Sequence, residues 1–137
     1  MKRAPEWFKD LSAFIASTRN VPYAVGTNDC VHWTARAIQA MTGNVPAGFV
    51  DLCTYTDEAE MLALKDKMGG LRNAVSTVLG AQPLPGNHAR IGDVVYFHPA
   101  PDVETVGICV GAEFVCVGDE ALNFFKLRKA EACWRVG

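Results

Sequence analysis

The sequence is poor in the residues that would make its chemistry obvious. It has only three histidines, and none of its five cysteines forms a Cys-x-x-Cys pair. Cys30, Cys53, Cys109, Cys116 and Cys133 are odd in number and scattered, which argues for free thiols rather than a disulfide framework. Cys30 and His32 stand two apart, about 200° around a helix axis, so metal ligation is a poor reading. No cofactor motif is present. No apolar run is long enough to span a bilayer. The opening stretch, MKRAPEWFKD, has basic residues but no apolar core of signal-peptide length behind them, which predicts synthesis and folding in a cytoplasm. A formal charge of −2 gives no electrostatic case for nucleic acid or anionic lipid as partner. There is no repeat, linker or low-complexity tract, so residues 1–137 read as one domain. A chain of this length buries about two-thirds of its unfolded surface and needs no covalent staple.

What is present is a change of period. Residues from about Pro5 to Thr18 read as a helix with Trp7, Phe8, Leu11, Phe14 and Ile15 on one stripe. A second helix starts at Asn28 or Asp29, either of which can cap it, and ends at Met41 or Thr42 before Gly43. Asn44 to Tyr55 looks irregular. Further helices are expected over Asp57–Met68 and Leu71–Leu79, then a loop over Ala81–Arg90 with two prolines and a glycine. From Asp93 onward the period is two. The runs Asp93–His98, Val106–Val110, Glu113–Val117 and Phe124–Leu127 read as strands, with Cys133–Val136 closing the sheet. Helices first and an antiparallel meander second make an α+β class.

The stretch VGTNDCVHW delivers Cys30 to the first turn of the second helix. A helix start favours a thiolate through its unpaired N–H groups and macrodipole, by on the order of 1 kcal/mol. That is less than a tenfold change in ionisation, so a nucleophile also needs a base, and an oriented one. Among the histidines, His32 faces away from Cys30 on its own helix, His88 lies in a loop, and His98 ends the first long strand. Packing remains the base-rate expectation for a cysteine. Cys109, Cys116 and Cys133 read as structural, Asp93 as a turn-capping carboxylate at the start of a strand, and Trp7, Trp33 and Trp134 as core anchors.

The order YAVGTNDC, helix, Gly43, then ARIGDVVYF, then TVGICVG resembles the NlpC-type cysteine peptidases of the papain-like fold, which hydrolyse bacterial cell walls. Tyr23–Cys30, Ala37–Gly43, Gly92–Val95 and Trp134–Val136 together also resemble a family encoded in phage and prophage tail-gene clusters. The resemblance implies a papain-like α+β fold, Cys30 as nucleophile and Asp29 as an orienting or capping group. It also implies a place in the virion tail, with other tail-tip or hub proteins as partners and bacterial peptidoglycan as a candidate substrate. It does not supply the base, because the position matching the peptidase histidine holds Thr105, which cannot accept a proton near neutral pH. If Gly92–His98 and Thr105–Val110 form a hairpin, His98 ends beside that position and is the candidate replacement. Two readings follow. One is a tail-tip assembly module, with Phe124, Phe125 and Ala47–Tyr55 as candidate partner surfaces. The other is a thiol hydrolase in which Cys30 attacks, His98 carries the proton and helix N–H groups hold the oxyanion.

Overall fold

The helix that begins at Cys30 is the centre of the molecule. In a computed structural model describing residues 1–137, this helix, α2 (Cys30–Thr42), has Trp33, Ala37, Ile38 and Met41 fully buried. Asp29 caps its start in an extended conformation, and Gly43 ends it in the left-handed region at φ 83°. α1 (Trp7–Thr18) packs along one side. Phe14 lies 5.3 Å from the Trp33 ring, and the Trp33 indole N–H donates to Thr18 Oγ1 at 2.9 Å. That bond satisfies the one polar atom of the largest buried side chain. The sheet covers the other side of α2 with Val94, Tyr96, Val106, Ile108 and Val115.

The expected helices are all present, and the segment expected to be irregular holds one more. α3 (Ala47–Leu52) buries Phe49 and Leu52. Tyr55 is also buried, while Val50 on the outer side of the helix is 58% exposed. The helix is short enough that the two buried positions carried too little periodic signal. α4 (Glu58–Lys67), capped by Asp57, buries no residue completely and lies across the surface. α5 (Leu71–Leu79) follows it and packs against α3.

The sheet has six antiparallel strands: β1 (Leu84–Pro85), β2 (Val94–Ala100), β3 (Val103–Cys109), β4 (Glu113–Val117), β5 (Leu122–Lys126) and β6 (Ala132–Trp134). Their order is β1-β6-β2-β3-β4-β5. The meander holds for β2 to β5, but β6 returns across the sheet to pair with β2, Val94 opposite Trp134. The loop expected over Ala81–Arg90 contributes the short edge strand β1. On the face away from α2, Val95, Phe97, Cys109, Phe114 and Cys116 form a smaller core, so Cys109 and Cys116 do pack as apolar residues.

Asp93 explains why β6 returns to β2. Its carboxylate is wholly buried, accepts the Arg90 N–H at 2.9 Å as a turn cap, and also receives the Val136 N–H at 3.4 Å. Arg3 reaches it at 3.3 Å and Arg135 makes a second ion pair. Arg3 also donates to the carbonyls of Ile91 and Val136. One carboxylate thus ties both ends of the described chain to the start of β2. Removing one partner of a buried ion pair leaves the other charges uncompensated. Asp93→Ala is expected to lower unfolding free energy by about 3 kcal/mol, read as a lower urea midpoint at unchanged slope.

Candidate active site

The site opens where β3 and β4 part. The two strands are in register only at Ile108–Val115 and Cys109–Phe114, although β3 runs back to Val103 and β4 on to Val117. Cys109 exchanges hydrogen bonds with Asp93 and Gly92 on the β2 side. By antiparallel alternation the backbone groups of Ile108, Val106 and Glu104 then turn toward β4. At Ile108 they meet it. At Val106 and Glu104 they face a cavity of about 430 Å³, lined on one side by Thr105 and Glu104 and on the other by Cys116 to Asp119. Cys30, on the first turn of α2, lines the same cavity, and the Val106 N–H is directed at its sulfur.

Burial pushes the half-buried Cys30 thiol up to about 11. The Val106 N–H opposes this, the Asp29 charge adds to it, and the Lys65 ammonium and the N–H of Cys30 itself oppose it. Desolvation wins, so the resting group is a thiol. Burial also pushes Cys53 and Cys116 up to about 12, with the charge of Cys30 adding to each. Tyr23, 39% exposed at the rim, is raised to about 12 by partial burial and then by Cys30 and Asp29.

Asp29 lies beneath the thiol, 1% exposed. Burial raises its carboxyl, but the N–H groups of His32 and Gly26, with the Tyr55 hydroxyl and the His32 ring, outweigh that and hold it below the ordinary carboxylate range. The two backbone contacts are each 2.9 Å. Asp29 therefore has the geometry of a cap.

The histidines lie elsewhere. No histidine lines the cavity. The hairpin that would carry His98 toward β3 does form, with Phe97 opposite Thr105. The residue itself turns the other way: its N–H donates to Glu131 Oε2 at 2.8 Å, and Nδ1 lies 2.9 Å from the same oxygen. Glu131 precedes β6, so His98 is held on the β6 side of β2 while the cavity lies beyond β3 on the β4 side. His88 is exposed, and its carbonyl accepts from Arg135 at 2.9 Å. His32 faces away from the cavity, as its helical position requires, and its ring folds back onto Asp29. Phe125, a candidate partner surface, lines the cavity, whereas Phe124 is 37% exposed under the Arg19 guanidinium.

Sequence reading did not find Lys65, the only cationic side chain lining the cavity. No carboxylate lies within ion-pair distance of it. Nearby Glu104 is already engaged by the Tyr96 hydroxyl at 2.5 Å and the Leu71 N–H at 3.3 Å. α4 has no buried stripe, so nothing in its pattern announced which face meets the cavity. The balance at Cys30 gives a direct expectation. Peptide-resolved alkylation of the folded protein should show a Cys30 midpoint near pH 11, against about 8.5 for an unperturbed thiol. At pH 7 the thiolate fraction should be about one in ten thousand.

The family described as a domain of unknown function (DUF6950) matches residues 2–136. No curated protein matches the chain. Among solved structures it is similar to the NlpC/p60 domain of the peptidoglycan hydrolase SagA, with a TM-score of 0.58 and 14% identity over 93% of this chain and 97% of that one. At that identity the likeness is one of fold, and the α+β arrangement of helices on an antiparallel sheet is that of an NlpC/p60 domain. The chain belongs to the DUF6950 family, with the NlpC/p60 fold built around a thiol whose cavity has no imidazole.

Proposed function

We propose that this protein is a non-cutting relative of the cell-wall cysteine peptidases: it takes a cell-wall type peptide in the Cys30 cavity and works at the tail tip or hub of a phage particle, in tail assembly or wall penetration. One observation carries the absence of cutting. Thr105 and Cys30 line the same cavity, no histidine lines it, and the thiol is raised to about 11. An acyl transfer needs the sulfur deprotonated and the leaving amine reprotonated, and a threonine hydroxyl does neither near pH 7. The peptide class follows from the fold likeness to a peptidoglycan hydrolase domain and from the cavity itself. On its β3 wall the ladder to β4 has ended, leaving a strand edge of the kind an extended peptide pairs with. The tail placement rests on the resemblance of the sequence motifs.

A second reading keeps Cys30 as an active nucleophile. It is favoured by the Val106 N–H and the helix-start N–H that already address the sulfur, and by the Lys65 charge beside them. His98 serves as its base only by leaving Glu131 and crossing β3.

Incubation with purified peptidoglycan stem peptides separates the two. The expected result is binding without cleavage, the same for wild type and Cys30→Ala. Thr105→His, which puts an imidazole on the cavity wall, should gain cleavage that a further Cys30→Ala abolishes. Wild-type cleavage lost in Cys30→Ala would overturn the proposal in favour of the hydrolase. Failure to bind any stem peptide would overturn the ligand class. Absence of the chain from mass-spectrometric digests of purified tail particles would overturn the location.

A further inference from the structure

The ring of His32 is placed between two acceptors. Nδ1 lies 2.9 Å from Asp29 Oδ2 and 3.0 Å from Oδ1. Nε2 lies 3.1 Å from the carbonyl oxygen of Cys53, which follows α3. A peptide carbonyl only accepts. An ionised carboxylate only accepts, and Asp29 already takes two backbone N–H groups in that role. A neutral imidazole has one N–H and one lone pair, so it would set a lone pair against an oxygen at one of these contacts. A ring with protons on both nitrogens satisfies both. Tyr55 fixes the plane of the ring, edge-on at 5.0 Å and 89°. The His32 side chain is 15% exposed, so water is a poor substitute for either partner.

We infer that His32 is a positioning residue that carries both ring protons, acting as the counter-charge of Asp29 and as the tie between the start of α2 and the end of α3. It touches neither the cavity nor the sulfur, so its effect on Cys30 runs through Asp29. The charge of Asp29 disfavours the Cys30 thiolate, and an imidazolium at 2.9 Å offsets that charge. The groups that face the ring are Asp29 on its own helix, the Cys53 carbonyl with its thiol beyond α3, and the Tyr55 phenol in the following loop. Cys30 stands two residues before it. None of these except His32 brings a positive charge. Without that charge the only cation left to oppose Asp29 at the thiol would be Lys65 across the cavity.

The inference rests on the proposed reading only in taking Cys30 as the reactive atom; the protonation state of His32 stands apart from any activity. Nitrogen-15 spectra of the histidine side chains in the wild-type protein at pH 7 should show both His32 nitrogens protonated. A single protonated nitrogen would overturn the inference, whatever the cavity binds. His32→Gln keeps a hydrogen-bond donor and removes the charge. It should slow peptide-resolved alkylation of Cys30 at fixed pH by about three- to tenfold and move the midpoint upward. His32→Gln that folds and leaves the Cys30 profile unmoved would reduce His32 to a packing residue and overturn its positioning role. Should that variant not fold, alkylation of Cys30 in the wild type as His32 titrates decides the same point. A thiolate fraction that falls below a single-site curve as the imidazolium disappears is expected, and a Cys30 profile that follows a single-site curve throughout refutes the coupling.

Discussion

The Asp29 carboxylate receives the N–H of Gly26 from the turn before it and the N–H of His32 from the helix after it, each at 2.9 Å. These two bonds decide where α2 begins, and through that which side chain stands on its first turn. Begin the helix one residue earlier or later and the position at the mouth rotates by about 100°. The sulfur would then leave the gap between β3 and β4. The turn that feeds Asp29 is fixed in its own right. Asn28 donates to the carbonyls of Val21 and Pro22 and accepts from Arg36. Gly26 adopts φ 86° where a Cβ would crowd the Thr56 backbone. The Gly-Thr-Asn-Asp sequence is therefore a positioning device before it is anything chemical.

The gap it addresses is set by a second constraint, at Gly107. A Cβ on that residue would lie 2.2 Å from the carbonyl oxygen of Val115, so only glycine lets β4 cross β3 this closely. The strands are in register just past this point and separate just before it. Close approach at Gly107 and divergence at Val106 are one feature: the twist that brings β4 over the glycine carries its far end away from Thr105. The cavity is thus a consequence of sheet geometry and not of a missing side chain. The glycine in the TVGICVG stretch has a steric reason for being there.

How much of this was legible follows the range of the interactions. The cap at Asp29, the stop at Gly43 and the two-residue period from Asp93 onward are local, and the sequence showed them. α3 was hidden because six residues with two buried positions do not establish a period. The return of β6 to β2 was hidden because it is enforced by Asp93, Arg3 and Arg135, residues far apart in the chain. Cys30 and Asp29 could be named because the helix start itself constrains them. His98 was placed at the right end of the right strand, but strand position does not say which neighbour a side chain at the rim turns to, and Glu131 was the nearer partner. Lys65 depends on tertiary placement and had no local signature, whereas the fold-back of His32 onto Asp29 is an i,i+3 contact within the helix cap that the sequence could have shown.

The electrostatic balance at Cys30 is a sum of opposing contributions. A helix start contributes on the order of 1 kcal/mol toward the thiolate, less than a tenfold change. Burial acts the other way, and the net rise to about 11 means more than a hundredfold fewer thiolates than an ordinary cysteine has at the same pH. Val106 and Lys65 reduce the deficit without closing it, and Asp29 deepens it except where His32 offsets its charge. Of the changes that would turn the balance, only a proton acceptor within hydrogen-bond reach couples ionisation of the sulfur to a gain elsewhere in the same step. No imidazole lines the cavity that holds the sulfur, and the β3 residues on its wall are Glu104 and Thr105.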